Sequence, residues 1–124
     1  QLLPVYDKPT IYYPLTTLIK LGITDIMIIT NAQAYPHLLH LFNQTDKKRP
    51  YLGLDLTFKV QISPAGIAEA LIIAEAWQGD DDVCLILGDN IFYGRGFSKL
   101  LQESVITTSK ENKATVCGYC AVFQ

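Results

Sequence analysis

The sequence predicts an α/β protein, in which helices cross over between the strands of a parallel sheet. Short apolar runs alternate with longer helix-like stretches, which is the pattern of successive β-α units. The run over residues 26–29 is continuously apolar, as expected when helices cover both faces of a sheet. A second run, residues 85–87, stops at Gly88 and leads to the carboxylate of Asp89. Open α/β sheets bind ligands at such strand ends.

The first half of the chain predicts two helices and two strands. They follow in the order helix, strand, helix, strand, over residues 9–21, 25–30, 35–43 and 55–61. Pro9 suits the opening turn of the first helix, and Gly22 suits its end. The second strand ends at Gln61, directly before the loop Ser63-Pro64-Ala65-Gly66.

The second half predicts the same alternation. Helix, strand, helix and strand are expected over residues 67–77, 83–87, 96–105 and 114–122. The acidic segment Gly79-Asp80-Asp81-Asp82 forms a turn between the first two of these elements. Since the next predicted strand ends before Asp89, this carboxylate is a candidate ligand for Mg²⁺ that bridges substrate phosphates. Taken alone, Gly-Asp-Asn is also ordinary turn chemistry.

The composition fits a soluble globular piece of one domain. The 124 residues are 49% hydrophobic and 18% charged, with a net charge of −2. We expect no nucleic-acid partner, because basic residues cluster only at Lys47, Lys48 and Arg49. No apolar stretch approaches the roughly 20 residues of a membrane span, and the chain shows no secretory signal. A cytoplasmic location and no membrane partner are therefore expected.

The cysteines raise a second hypothesis. Cys117 and Cys120 have the C-x-x-C spacing of redox sites and of half a zinc site, and His37 and His40 could supply two further ligands. The cysteine pair lies in an apolar segment with no helix after it, which favours a buried strand over a redox site. Cys84 is expected to be a small core residue.

Three segments resemble the sugar-1-phosphate nucleotidylyltransferase family. They are Q-L-L-P-V-Y-D-K-P-T-I-Y-Y-P-L, V-Q-I-S-P-A-G-I-A-E-A and L-G-D-N-I-F-Y-G, over residues 1–15, 60–70 and 87–94. The resemblance implies a Rossmann-like three-layer αβα nucleotidyltransferase sheet. Family members begin with a strand, a loop G-G-x-G-T-R-L and a lysine before Q-L-L-P, and they continue beyond the last residue of this chain. We therefore expect residues 1–124 to form a partial, incomplete domain without the first central strand and the C-terminal segments.

The resemblance also implies an activity. In the family, a sugar 1-phosphate attacks the α-phosphorus of a nucleoside triphosphate, and pyrophosphate leaves. The Y-D-K-P and L-G-D-N-I-F-Y-G segments favour dTTP and glucose 1-phosphate as substrates, with dTDP-glucose as product, in an activated-sugar pathway of the dTDP-rhamnose type. The full-length enzyme is expected to be a homo-oligomer, and this chain alone is expected to be inactive. A non-catalytic nucleotide-binding or regulatory fragment and a cysteine-based redox or zinc module are the alternatives.

By this resemblance, four residues contact the nucleotide besides the catalytic and metal-binding Asp89. They are Gln1, Gln61, Pro64 and Gly66. The amide of Gln61 offers a donor and an acceptor to a pyrimidine edge, although it could instead bond to loop backbone. A glycine at residue 66 lets backbone N–H groups approach a flat base.

The sugar pocket is expected to include two apolar side chains. Ile67 and Leu87 could line it, and both are equally explicable as core residues. Glu69 lies one turn into the predicted helix, where a carboxylate meets the helix dipole favourably, and no catalytic role is expected for it.

Overall fold

A computed structural model describes residues 2–43, 51–63, 65–111 and 114–115. Four strands and four helices lie within these ranges. The strands are β1 (Pro4–Val5), β2 (Lys8–Pro9), β3 (Asp25–Thr30) and β4 (Asp55–Val60), and the helices are α1 (Tyr12–Lys20), α2 (Tyr35–Leu41), α3 (Ile67–Gln78) and α4 (Phe97–Glu111). Several predictions fall outside the described residues, namely Gln1, Pro64, the basic cluster at residues 47–49, Cys117, Cys120 and most of the strand over residues 114–122.

A short antiparallel hairpin, β1–β2, precedes the first helix. Pro4 pairs with Pro9 and Val5 with Lys8. The prediction that Pro9 opens a helix is therefore wrong, since α1 begins at Tyr12. The buried Thr10 explains the difference, because its Oγ1 and its backbone N–H both donate to the carbonyl oxygen of Leu3, at 2.7 and 2.9 Å. These bonds hold the chain in the hairpin until residue 10.

The predicted stop of α1 at Gly22 is confirmed. Gly22 has φ of 79°, a conformation that favours glycine. Its N–H donates to the carbonyl of Ile19 at 2.9 Å, and the N–H of Ile23 donates to the carbonyl of Leu18 at 3.1 Å. This pair of bonds is a Schellman motif, which satisfies the last carbonyls of the helix and directs the chain into β3.

Strands β3 and β4 form the parallel pair that the sequence predicts, joined by a connection that contains α2. Their register runs from Asp25 opposite Asp55 to Thr30 opposite Val60. Burial alternates along β3, so that Ile26, Ile28 and Thr30 are buried while the residues between them are only half-buried. In the described part of the chain, one face of β3 is therefore buried and the other is partly covered.

The core lies between α1, α2 and one face of this sheet. Phe42 and Leu38 are fully buried at its centre. The ring of Phe42 contacts Tyr12, Tyr51 and Phe58, with ring centroids 5.8, 5.1 and 6.1 Å away. The hydroxyls of Tyr12 and Tyr51 lie 3.3 Å apart. Burial, followed by the hydrogen bond and the charge of Tyr51, raises the pKa of Tyr12 to about 12.

The predicted strand over residues 83–87 is not formed. These residues lie in irregular backbone, and within the described chain they belong to neither sheet. A strand exists through the hydrogen bonds that it exchanges with a neighbouring strand, so an apolar run alone does not make one. Ile86 is half-buried against the core, and Cys84 is exposed, so the prediction that Cys84 is a core residue is also wrong.

Helix α4 extends to Glu111, beyond the predicted end at residue 105. Its C-terminal half is rich in Ser and Thr, which usually weaken helices by competing for backbone groups. Here Ser104 and Thr107 donate to the carbonyls of Leu100 and Glu103, both at 2.9 Å, within the helix itself. These side chains are therefore compatible with a longer helix.

Candidate nucleotide site

Gln61 occupies the carboxyl end of the parallel strand pair. Its backbone N–H donates to the carbonyl of Thr30 at 2.8 Å, which continues the ladder by one residue beyond β4. Its half-buried side chain is then held at the sheet edge, before the loop that leads to α3. Ligands of open α/β sheets bind at this edge, so the structure places Gln61 where the sequence predicts a contact residue.

The loop after Gln61 turns into α3 at Gly66. Gly66 is the N-cap residue of α3, with φ of 96° and ψ of 178°, a region essentially restricted to glycine. A Cβ added at this residue would meet no atom within 4 Å among the described residues. The glycine is therefore required by backbone conformation rather than by crowding.

Glu69 connects the strand end to this loop. Its Oε2 accepts a hydrogen bond from Nε2 of Gln61 and one from the backbone N–H of Ala65, the latter at 3.3 Å. Nε2 of Gln61 also donates, at 3.5 Å, to the carbonyl of Gly66. The structure therefore brings Gln61, Gly66 and Glu69 into one hydrogen-bonded group.

The hydrogen bonds of Glu69 to Gln61 and Ala65 were not predicted from the sequence. The position of Glu69 could have predicted them. A Glu at the third residue of a helix can accept hydrogen bonds from backbone N–H groups at the start of the helix. With Gly66 as the N-cap, that position is residue 69. The alternative for Gln61, that it bonds to loop backbone, is confirmed for Nε2, which donates to the carbonyl of Gly66.

Asp89 lies in a turn after the irregular run over residues 83–87. The N–H of Asn90 donates to the carbonyl of Leu87 at 3.2 Å, which closes the turn, and the Asp89 side chain is exposed. Farther along the loop, the rings of Phe92 and Phe97 stack with centroids 5.0 Å apart, tying the loop to the start of α4. Within the described residues, no hydrogen bond joins Asp89 to the group around Gln61.

The described residues contain no group of three or more His, Cys, Asp or Glu side chains that could hold a metal ion. An exposed single carboxylate nevertheless suits Mg²⁺, which keeps several waters and is held by one or two carboxylates plus substrate phosphates. The single carboxylate of Asp89 fits an Mg²⁺ ion that also binds substrate phosphates. It does not fit an ion held by the described protein side chains alone.

The two expected sugar-pocket residues are both exposed. Ile67 is 56% exposed and Leu87 39% exposed, so neither is a core residue in this structure. Both lie close to site residues in the sequence, Ile67 after Gly66 and Leu87 two residues before Asp89.

No helix in the described part of the chain is long and apolar enough to cross a membrane.

Comparison with known proteins finds similarity to nucleotidyl transferases along nearly the whole chain. A family profile described as nucleotidyl transferase matches residues 1–121. The glucose-1-phosphate thymidylyltransferase of Neisseria meningitidis is 44% identical over 119 residues, which are 96% of this chain and 39% of that protein. The enzyme of the same name from Mycobacterium tuberculosis is 47% identical over 103 residues, which are 83% of this chain and 34% of that protein.

A solved structure has the same fold. It is the crystal structure of a candidate glucose-1-phosphate thymidylyltransferase from Bacillus anthracis in complex with a sucrose, with a TM-score of 0.71 and 35% sequence identity. The match covers 86% of this chain and 41% of that chain. The chain thus spans 34% to 41% of the length of these similar proteins.

Proposed function

Because the chain belongs to the nucleotidyl transferase family, we propose that the full-length protein is a glucose-1-phosphate thymidylyltransferase. It would transfer the thymidylyl group of dTTP to glucose 1-phosphate and release pyrophosphate, with dTDP-glucose as the product. The observation that carries this proposal is the 44% identity, over 119 residues, to a relative that bears this name. The matched segment covers 96% of the chain and so includes Gln61, Gly66 and Asp89, the residues at which the sequence predicts nucleotide and metal contacts.

The proposed chemistry is an in-line displacement at phosphorus. A phosphate oxygen of glucose 1-phosphate forms a bond to the α-phosphorus of dTTP, and the bond from that phosphorus to the bridging oxygen of pyrophosphate breaks. The electron pair of the broken bond leaves with pyrophosphate. Such a reaction needs two anions to be held together, aligned and neutralised, and it needs little covalent help from the protein.

Asp89 is the proposed catalytic and metal-binding residue. When bound, Mg²⁺ would neutralise phosphate charge and help to align the reacting phosphates. The part of Asp89 is to offer an exposed carboxylate oxygen, which is the ligand type that Mg²⁺ prefers. The turn closed between Leu87 and Asn90 supports this role, because it holds the backbone at Asp89 while the side chain is exposed.

The nucleotide base is assigned to the loop between β4 and α3. Gln61 would contact the base edge, and the open backbone at Gly66 would lie against the base. Gln1 and Pro64 are assigned to the nucleotide by family resemblance. Ile67 and Leu87 are assigned to the sugar pocket, and their exposure supports this, because an apolar side chain in a pocket is uncovered until the ligand arrives.

The proposed partners are small molecules and further copies of the protein. dTTP and glucose 1-phosphate are the substrates, and neither a nucleic acid nor a membrane is a partner. A homo-oligomer is supported by exposed apolar side chains on α3 and α4, among them Ile72 and Ile106. Substrates of this kind are cytoplasmic metabolites, so we place the protein in the cytoplasm.

The test is an assay of the purified full-length protein with dTTP, glucose 1-phosphate and Mg²⁺. We expect dTDP-glucose and pyrophosphate to form in equal amounts, and glucose 6-phosphate to replace glucose 1-phosphate poorly, because its phosphate is on the wrong carbon. A folded protein that forms no nucleotide-sugar from dTTP, while a known enzyme of this activity does so in parallel, would refute the proposal.

A further inference from the structure

The Glu69 carboxylate holds the Gln61 side chain in one orientation. Glu69 is the third residue of α3, where the positive end of the helix stabilises a carboxylate. The N–H of Ala65 donates to Oε2 at 3.3 Å and so anchors that oxygen to the loop. Nε2 of Gln61 donates to the same oxygen. The amide of Gln61 is therefore tied to a charged group that is itself fixed by the backbone.

The partners of Gln61 determine which end of its amide faces them. A carboxylate and a backbone carbonyl only accept hydrogen bonds, so the NH₂ group of Gln61 must face Glu69 and the Gly66 carbonyl. An amide turned the other way would place its oxygen against two acceptors. In the described chain, Oε1 of Gln61 accepts no hydrogen bond, and it is the end that remains for a ligand.

We propose that Glu69 is a positioning residue that makes Gln61 present its Oε1 acceptor to the nucleotide base and so selects a base with an N–H donor at that edge. Thymine and uracil carry N3–H as a donor, whereas cytosine carries an unprotonated N3 acceptor at the same place. A cytosine N3 would face the lone pairs of Oε1, and the resulting unpaired polar groups would weaken binding. The inference rests on the proposed function only in that Gln61 contacts the base.

The informative variant is Glu69→Gln, which has the same size and can donate as well as accept. With an amide at residue 69, only the Gly66 carbonyl still requires the NH₂ group of Gln61, so the orientation of Gln61 is held less strongly and the preference for thymine should fall. We expect the ratio of dTTP to dCTP affinity, measured by equilibrium titration of the full-length protein, to fall about tenfold or more. The KM for glucose 1-phosphate should stay unchanged.

Glu75→Gln is the matched control, because Glu75 is an exposed residue of the same helix and undergoes the same loss of charge. It should keep the dTTP to dCTP ratio of the unmodified protein. The same titrations in a Gln61→Ala background show whether Glu69 acts through Gln61. There, Glu69→Gln should have no further effect on the ratio.

The inference is overturned if Glu69→Gln keeps the ratio while its melting curve shows a folded protein, or if its effect persists in the Gln61→Ala background. An unmodified protein that binds dTTP no better than dCTP also overturns it. Binding selective for dTTP without any nucleotide-sugar product would refute the proposed function alone, because the ratio in the titrations would still test Glu69.

Discussion

At the residue scale, the sequence predicts which residues belong to the candidate site, but it does not predict the hydrogen bonds between them. Residue type and position at a strand end are sufficient to single out Gln61, and the structure places it at that end. The direction of its amide depends on the partners that reach it, and Glu69 does so from the next helix. A sequence motif does not specify such a contact between two elements. The position of Glu69 in the first turn of α3 is compatible with it.

Gly66 allows a test of the loop conformation at this scale. Its φ of 96° is unfavourable for any residue with a Cβ, so Gly66→Ala should lower the free energy of unfolding by about 1–3 kcal/mol. The displaced backbone should also weaken dTTP binding. Chemical denaturation and equilibrium titration of the full-length protein measure the two effects.

Gly79→Ala is the control for this variant, because Gly79 lies at the other end of α3 and also has positive φ, of 60°. It should lose a similar amount of stability and keep its affinity for dTTP. Equal loss of dTTP affinity in both variants would mean that the loop at Gly66 has no special part in binding.

At the element scale, the sequence predicts a strand or helix correctly where its hydrophobic pattern is matched by packing or pairing with neighbouring elements. The strands β3 and β4 and the helices α1, α2 and α3 are found near their predicted places. The run over residues 83–87 has the right composition for a strand, but within the described chain no strand pairs with it. The hairpin β1–β2 was missed because each of its strands has only two residues, too few to show a period.

The packing of α2 against β4 predicts a large loss of stability when Phe42 is truncated. Phe42 is fully buried among three aromatic rings, so Phe42→Ala removes many contacts and leaves a cavity. We expect it to lower the free energy of unfolding by about 3–5 kcal/mol. Leu3→Ala is the control, since Leu3 is 77% exposed and should change stability by less than about 1 kcal/mol. Similar losses in both variants, measured by denaturant titration, would contradict this description of the core.

At the scale of the whole molecule, the chain has one well-packed half and one open half. The buried cluster joins α1, β3, α2 and β4, whereas α4 has no buried residue among those described. Charge and composition predict a globular protein without a nucleic-acid surface, but they do not predict where burial is concentrated. The hydrogen-bonded group of Gln61, Gly66 and Glu69 adjoins the packed half, and Asp89 belongs to the open half.

We propose that Asp89 binds the metal that accompanies the nucleotide. The most direct test is calorimetric titration of the full-length protein with dTTP, with and without Mg²⁺. We predict that Mg²⁺ strengthens dTTP binding in the unmodified protein and in the control Asp80→Asn, whose substituted residue is exposed in the turn before residues 83–87. Asp89→Asn should bind dTTP alone normally and lose the gain from Mg²⁺. A full gain from Mg²⁺ in folded Asp89→Asn would contradict the account.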